Sequence, residues 1–161
     1  MKRCAFFLAL LLSCTAVQAQ ELKPFVRGSQ KAIMAEHQGK PFILALWSLD
    51  CVHCRADLEL FGKLQASHRD LAVVLVATDT PAQRGEIESL LGRYHLQRTE
   101  SWVFADAFAE RLRYEIDPQW YGELPRTYFI AADGTVSAFS GKIERDEIER
   151  WIKSSAAHKQ G

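Results

Sequence analysis

Two unbroken apolar runs, Phe42–Trp47 and Leu71–Ala77, mark the first half of the chain. Runs of this length predict strands covered on both faces of a sheet. Ser29 to Gln38 predicts a first helix, with Ala32, Ile33 and Ala35 apolar and Gly39-Lys40-Pro41 as its stop. A second helix runs from Cys51 to about His68, where Leu58, Phe61 and Leu64 recur every three residues and form one buried stripe. Pro81 opens a third, since proline is tolerated in a first turn; its stripe is Ile87, Leu90, Leu91 and Tyr94. Trp102-Val103-Phe104 reads as a short strand. Ala107 to Ile116 reads as a helix with Phe108, Leu112 and Ile116 in register. Thr127–Ala131 and Thr135–Phe139 are strands joined through Asp133-Gly134, a hairpin signal. Glu144 to about Ser154 closes the chain as a helix carrying Ile148, Trp151 and Ile152, ahead of a polar tail.

This order alternates strand and helix, then ends in a hairpin and a helix. Alternation implies a parallel core with helices on both faces, and the hairpin adds an antiparallel edge. No repeat or Pro/Gly/Ser-rich linker divides it, so one three-layer α/β domain is expected. The first residues belong to something else. Met1-Lys2-Arg3 is a short cationic start, Cys4–Leu12 is apolar, and Val17-Gln18-Ala19 offers a small-x-small cleavage pattern, together a secretory signal. Residues 1–19 are expected to be removed, leaving a single domain over 20–161 with its core at about 40–152. Leu11-Leu12-Ser13-Cys14 offers an alternative, a lipobox whose Cys14 would be lipidated, but Leu12 is bulky for that motif. Cleavage after Ala19 is the expectation. The mature chain has no run near the ~20 apolar residues of a transmembrane helix.

Charge excludes more than it suggests. The chain has 20 Lys+Arg and 20 Asp+Glu; removing Lys2 and Arg3 leaves 18 against 20, a net of −2. A nucleic-acid partner, which wants a basic surface, is not expected. Of four cysteines, Cys4 and Cys14 fall in the leader. Cys51 and Cys54 remain as one C-x-x-C, too few for a disulfide-dense scaffold or a four-cysteine zinc site.

That pair sits where a buried strand gives way to a helix, in Trp47-Ser48-Leu49-Asp50-Cys51-Val52-His53-Cys54-Arg55. Free backbone N–H groups and the positive dipole end at a helix N-terminus favour a thiolate, the nucleophile of disulfide exchange. Two intervening residues put Cys54 one turn from Cys51, close enough to close a small disulfide ring. Cys51 would be the exposed attacker and Cys54 the more buried resolver. Other uses of the pair stay open. It could be half of a zinc or copper site, though His37, His68, His95 and His158 show no ligand spacing. It could be a structural disulfide, though so small a ring removes little entropy from the unfolded chain.

The chain resembles exported thioredoxin-fold proteins of the TlpA/ResA/CcmG-like group, over about Lys40 to Ile152. Three features carry the resemblance. They are Phe42–Trp47 leading into Cys51-Val52-His53-Cys54-Arg55; Gly122-Glu123-Leu124-Pro125-Arg126-Thr127-Tyr128-Phe129-Ile130 with Asp133-Gly134 and Gly141, similar to the group's G-x-P-T-T-F-x-I-D-x-x-G; and an extra helix-and-strand segment between Thr80 and Tyr121. The resemblance implies a thioredoxin fold, an αβα sandwich with a mixed central sheet and a TlpA-like insertion between its halves. It implies dithiol–disulfide exchange through a redox-active Cys51–Cys54 disulfide, with no organic cofactor and no metal. It places Pro125 at the group's cis-proline position, leaving the Leu124 backbone to pair with an extended substrate. Substrates would be cysteine-containing exported proteins, such as apocytochromes c or misoxidised proteins. The redox partner would be a membrane electron conduit of the DsbD/CcdA type. The expected location is the periplasm or another exported compartment.

Departures from the pattern sharpen the site. The group has Trp before the first cysteine; here Asp50 stands, a candidate helix cap whose charge opposes a Cys51 thiolate. His53 acts the other way and is similar to a histidine found in oxidising and isomerising members of the wider superfamily. Asp57 stands where the group has Glu and could carry the proton of Cys54, or be a solvated helix charge. Trp47 is read as a wall of the site or as core. Arg55 could add positive potential or simply face solvent. The resemblance favours a reductase; an oxidase or isomerase of the same fold remains an alternative. A copper-carrying module is a rival from another class, though related copper carriers space their cysteines by three and add a distal histidine. A peroxidase would need the P-x-x-x-T-x-x-C motif, which is absent.

Overall fold

A computed structural model describes residues 21–157. The expected leader, its cleavage site and Cys14 lie outside the described residues. The elements are β1 (Lys23–Phe25), α1 (Ser29–Glu36), β2 (Phe42–Trp47), α2 (Val52–Ser67), β3 (Ala72–Ala77), a 3-10 turn (Pro81–Gln83), α3 (Arg84–Arg93), β4 (Glu100–Phe104), α4 (Ala109–Ile116), β5 (Arg126–Ile130), β6 (Val136–Ser140) and α5 (Arg145–Ala157). The strands form one six-stranded sheet in the order β1-β4-β3-β2-β5-β6. β1, β4, β3 and β2 run parallel; β5 lies antiparallel to β2, and β6 to β5.

The two long apolar runs became central strands because both their faces are covered. Every residue of β2 is buried. Alternate side chains enter two cores. Ile43, Ala45 and Trp47 face α2, α3 and α5 through Leu58, Phe61, Leu64, Ile87, Leu90 and Ile148. Phe42, Leu44 and Leu46 face α1 and α4 through Ile33, Leu112 and Ile116. These are the three layers of the expected thioredoxin-type sandwich, and the segment after Thr80 inserts α3, β4 and α4 between its halves.

Four differences from the sequence reading have local causes. β1 was not expected, since three residues around Pro24 carry no periodicity; it adds itself to β4, with Lys23 opposite Trp102 and Phe25 opposite Phe104. Lys23, His37 and Trp102 all meet the half-buried Glu100 carboxylate, at 3.2, 3.0 and 2.9 Å. That cluster ties β1 and the end of α1 to β4, and its donors hold the Glu100 carboxyl below its usual range against the opposing effect of burial. β4 is accordingly longer than Trp102–Phe104. Pro81 opens a 3-10 turn that leads into α3 rather than α3 itself, with Thr80 and Gln83 as a capping box. α4 starts at Ala109, so Phe108 leaves the stripe; it is 52% exposed, with the Arg111 guanidinium 4.2 Å from its ring centre.

One helix contact makes a direct test. A Cβ built on Gly62, inside α2, overlaps the carbonyl oxygen of Tyr94 at the end of α3. Alanine in a helix interior normally stabilises by about 1 kcal/mol over glycine. Here the neighbour is backbone and cannot rotate away, so Gly62→Ala is expected to destabilise by about 2–3 kcal/mol instead. Urea unfolding reads this directly. A midpoint at or above the parent's would show that α2 and α3 slide apart at little cost.

Candidate active site

The site is built at the edge of the sheet where β2 ends. Trp47 is 2% exposed and belongs to the core beneath α2, together with Cys54. Beyond it, Ser48 to Cys51 form a turn closed by Cys51 N–H donating to Ser48 C=O at 3.2 Å. Cys51 has extended backbone angles (φ −82°, ψ 102°) and is the N-cap of α2. Its Sγ accepts the Cys54 N–H at 3.1 Å. The cap is therefore the cysteine and not Asp50. Asp50 lies inside the turn, one residue early, and its carboxylate is exposed. The first turn of α2 thus spends a free N–H on sulfur, a bond that strengthens if the sulfur becomes a thiolate.

Cys51 and Cys54 are joined in a disulfide with Cα atoms 5.3 Å apart. Cys51 is half-buried and Cys54 is fully buried. Val52, 75% exposed, and His53, also exposed, project from the first turn of α2. Arg55 faces solvent and reaches back to the Leu49 carbonyl at 3.4 Å.

Asp57 is not a solvated charge. It is 3% exposed, one turn beyond Cys54 on α2. One carboxylate oxygen accepts the Ile143 N–H at 3.1 Å, and the other has no hydrogen-bond partner among the described residues. Burial pushes its pKa up to about 7; the Ile143 bond and Lys142 pull down, and Glu144 pushes up. A carboxyl with that pKa exchanges its proton near neutrality.

The opposite lip comes from β5. Arg126 is paired with Leu46, so Pro125 and Leu124 reach the sheet edge from which the Ser48–Cys51 turn departs. The Leu124–Pro125 peptide bond is cis. Leu124 is half-buried against both cores, and neither its N–H nor its C=O makes a hydrogen bond among the described residues. Behind this lip, Arg126 stands where the group has Thr. It bonds Asp117 at 2.8 Å, Tyr128 at 3.1 Å and Ser140, anchoring the loop from α4 on the far face of the sheet.

Sequence reading missed Asp79. Its two carboxylate oxygens accept the same N–H, that of Leu49, at 3.2 and 3.1 Å. Beside it, Thr78 N–H donates to Trp47 C=O at 2.9 Å. The available signal was a lone acid two residues after the apolar run of β3, and nothing in sequence ties it to a turn thirty residues earlier. Among the described residues, no group of three or more His, Cys, Asp or Glu is placed to hold a metal ion. No helix among them is long and apolar enough to cross a membrane.

A thioredoxin fold, with a C-x-x-C disulfide at the N-terminus of α2 and a cis-proline lip at the same sheet edge, is what these elements define. No family model matches the chain, and no curated protein sequence matches it. Solved structures do. A secreted Mycobacterium tuberculosis disulfide oxidoreductase homologous to E. coli DsbE aligns with TM-score 0.61 and 24% identity, covering 74% of this chain and 85% of that one. M. tuberculosis DsbF aligns with TM-score 0.59 and 21% identity over 74% and 84% of the two chains. A Chlorobium tepidum protein provisionally named thiol:disulfide interchange protein DsbE gives 0.55 and 22% over 76% and 84%. At these identities the likeness is one of fold.

Proposed function

We propose that the protein is an exported thiol–disulfide oxidoreductase that reduces disulfides in cysteine-containing proteins. The observation that carries this reading is the division of labour in the pair: Cys51 half-buried with its Sγ held on a helix N–H, Cys54 fully buried one helical turn before a buried carboxyl whose pKa is raised to about 7.

In the reduced protein, the Cys51 thiolate attacks one sulfur of a substrate disulfide. The substrate S–S bond breaks, its other sulfur leaves as a thiolate that takes a proton, and a mixed disulfide forms at Cys51. The unpaired Leu124 backbone would hold the substrate segment as an added strand. Cys54 then gives its proton to the ionised Asp57 and attacks Cys51 Sγ. The second substrate sulfur leaves as a thiolate that takes a proton from solvent, and two electrons have passed from the dithiol to the substrate. The oxidised Cys51–Cys54 pair needs a dithiol donor to restart, for which a membrane conduit of the DsbD/CcdA type is proposed. Export rests on the leader at residues 1–19, leaving 20–161 as the mature domain.

The reducing direction is supported by charge. Asp50 adjoins Cys51 in sequence and is exposed. A negative neighbour disfavours a Cys51 thiolate and so favours the disulfide form. His53 supports the opposite reading, since a protonated imidazole beside Cys51 stabilises the reduced state. Equilibration with a dithiol buffer of known potential decides between them. A value near that of thioredoxin, about −270 mV, is expected. One near about −120 mV, as in DsbA, would make the protein an oxidase.

A further inference from the structure

We propose that Asp79 is a positioning residue for disulfide exchange: from the end of β3 it grips the Ser48–Cys51 turn, keeping Cys51 Sγ on the Cys54 N–H when the disulfide opens. This rests on the exchange reading above.

β2 and β3 are parallel, with Trp47 opposite Ala77, so the two strands leave the sheet at the same edge. Their exits are joined twice. Thr78 N–H and Oγ1 reach the Trp47 carbonyl at 2.9 and 3.4 Å, and Leu49 N–H points between the two oxygens of Asp79. Asp79 is 9% exposed, so water competes little for these bonds. Two residues after Leu49 comes Cys51, whose extended backbone aims Sγ at the Cys54 N–H.

In the oxidised protein the disulfide itself fixes Cys51. In the dithiol that tether is gone, and the direction of Cys51 depends on the turn that delivers it. Of the two legs of that turn, the later one is held by the Cys51 N–H bond to Ser48. The earlier one is held by Asp79 on the half-buried Leu49 N–H, joined among the described residues only by the solvent-exposed Arg55 on the Leu49 carbonyl and by Thr78 one residue before the turn. Releasing the earlier leg lets Sγ drift from the helix N-terminus and forfeits the stabilisation of its thiolate.

Charge could be the reason for Asp79 instead, and the two roles separate by substitution. The ionisable groups around the turn are Asp50 on it, His53 and Arg55 on α2, and Glu86 and Arg93 on α3, most of which line a shallow cleft beside it. Asp79→Asn keeps an acceptor for Leu49 N–H and deletes the charge. Asp79→Ala deletes both.

The measurement is the rate of iodoacetamide alkylation of Cys51 in the reduced protein as a function of pH, which needs no substrate. Asp79→Ala is expected to raise the apparent Cys51 pKa by about one unit, a tenfold loss of thiolate below it. Asp79→Asn is expected not to raise it. If both variants shift together, the carboxylate acts through its field; if neither shifts, the turn holds without it; either result overturns the proposal. Should Asp79→Ala not fold, Asp79→Glu takes its place, because it keeps the charge and displaces the acceptor by one methylene. It is expected to behave as Ala does, and a parental profile overturns the proposal. A parent that shows these Cys51 titrations yet reduces no protein disulfide would sink the exchange reading and leave the grip of Asp79 on the turn intact.

Discussion

Cys51→Ser is expected to lower disulfide exchange by about 1,000-fold or more, because a serine hydroxyl neither ionises near neutrality nor forms a bond to sulfur that a second thiol can release. Cys54→Ala is expected to fail differently. Its Cys51 is still half-exposed and can still accept the backbone N–H of residue 54, which alanine retains. The first attack therefore proceeds. The second does not, since the buried sulfur that would displace the substrate is gone. Turnover falls to a similar degree, but the protein accumulates as a mixed disulfide. Mass spectrometry of the variant incubated with a disulfide-containing protein should find adducts on Cys51 alone. Absence of adducts in Cys54→Ala, or adducts of equal yield in Cys51→Ser, would contradict the assignment of attacker and resolver. The prediction follows from exposure: only Cys51 is open to a macromolecular disulfide, while Cys54 is 0% exposed.

What was readable in the chain and what was not divides along physical lines. β2 and β3 announced themselves because a strand buried on both faces has no polar position to spare. α2 was legible for the complementary reason, a stripe with one covered face. β1 was not, because Phe25 gains its burial only by joining β4, whose residues are nearly eighty positions away. Phe108 was misread because α4 begins two residues later than Ala107, which turns a buried stripe position into an exposed one. The reactive pair was readable from its spacing and its place after a strand. Its electrostatics were not. Asp57 is set by the backbone of Ile143, and Leu49 is held by Asp79, contacts 86 and 30 residues apart along the chain. Even Asp50, adjacent to the pair, was assigned a capping role that the sulfur of Cys51 performs.

Asp57 gives the second large effect, and it has opposite signs for stability and for activity. In the folded protein its pKa is about 7, against 3.8 for the free side chain. Between those values the folded state holds a proton that the unfolded chain has lost, so stability falls as pH rises through the window and levels off above it. Asp57→Asn keeps an oxygen for Ile143 N–H and removes the charge. It is expected to match the parent near pH 4, gain steadily above it, and be up to about 4 kcal/mol more stable at pH 8, by the free energy of each pKa unit displaced. The same change removes the acceptor proposed for the Cys54 proton. The resolving step, followed as release of substrate from the mixed disulfide at pH 7.5, is expected to slow by about 100-fold, the lower range for a positioned proton acceptor. A merely structural acid would not couple the two. A stability difference that stays constant from pH 4 to 8 would show that Asp57 is not titrating there. A stabilised variant that resolves at the parental rate would show that Cys54 loses its proton by another route.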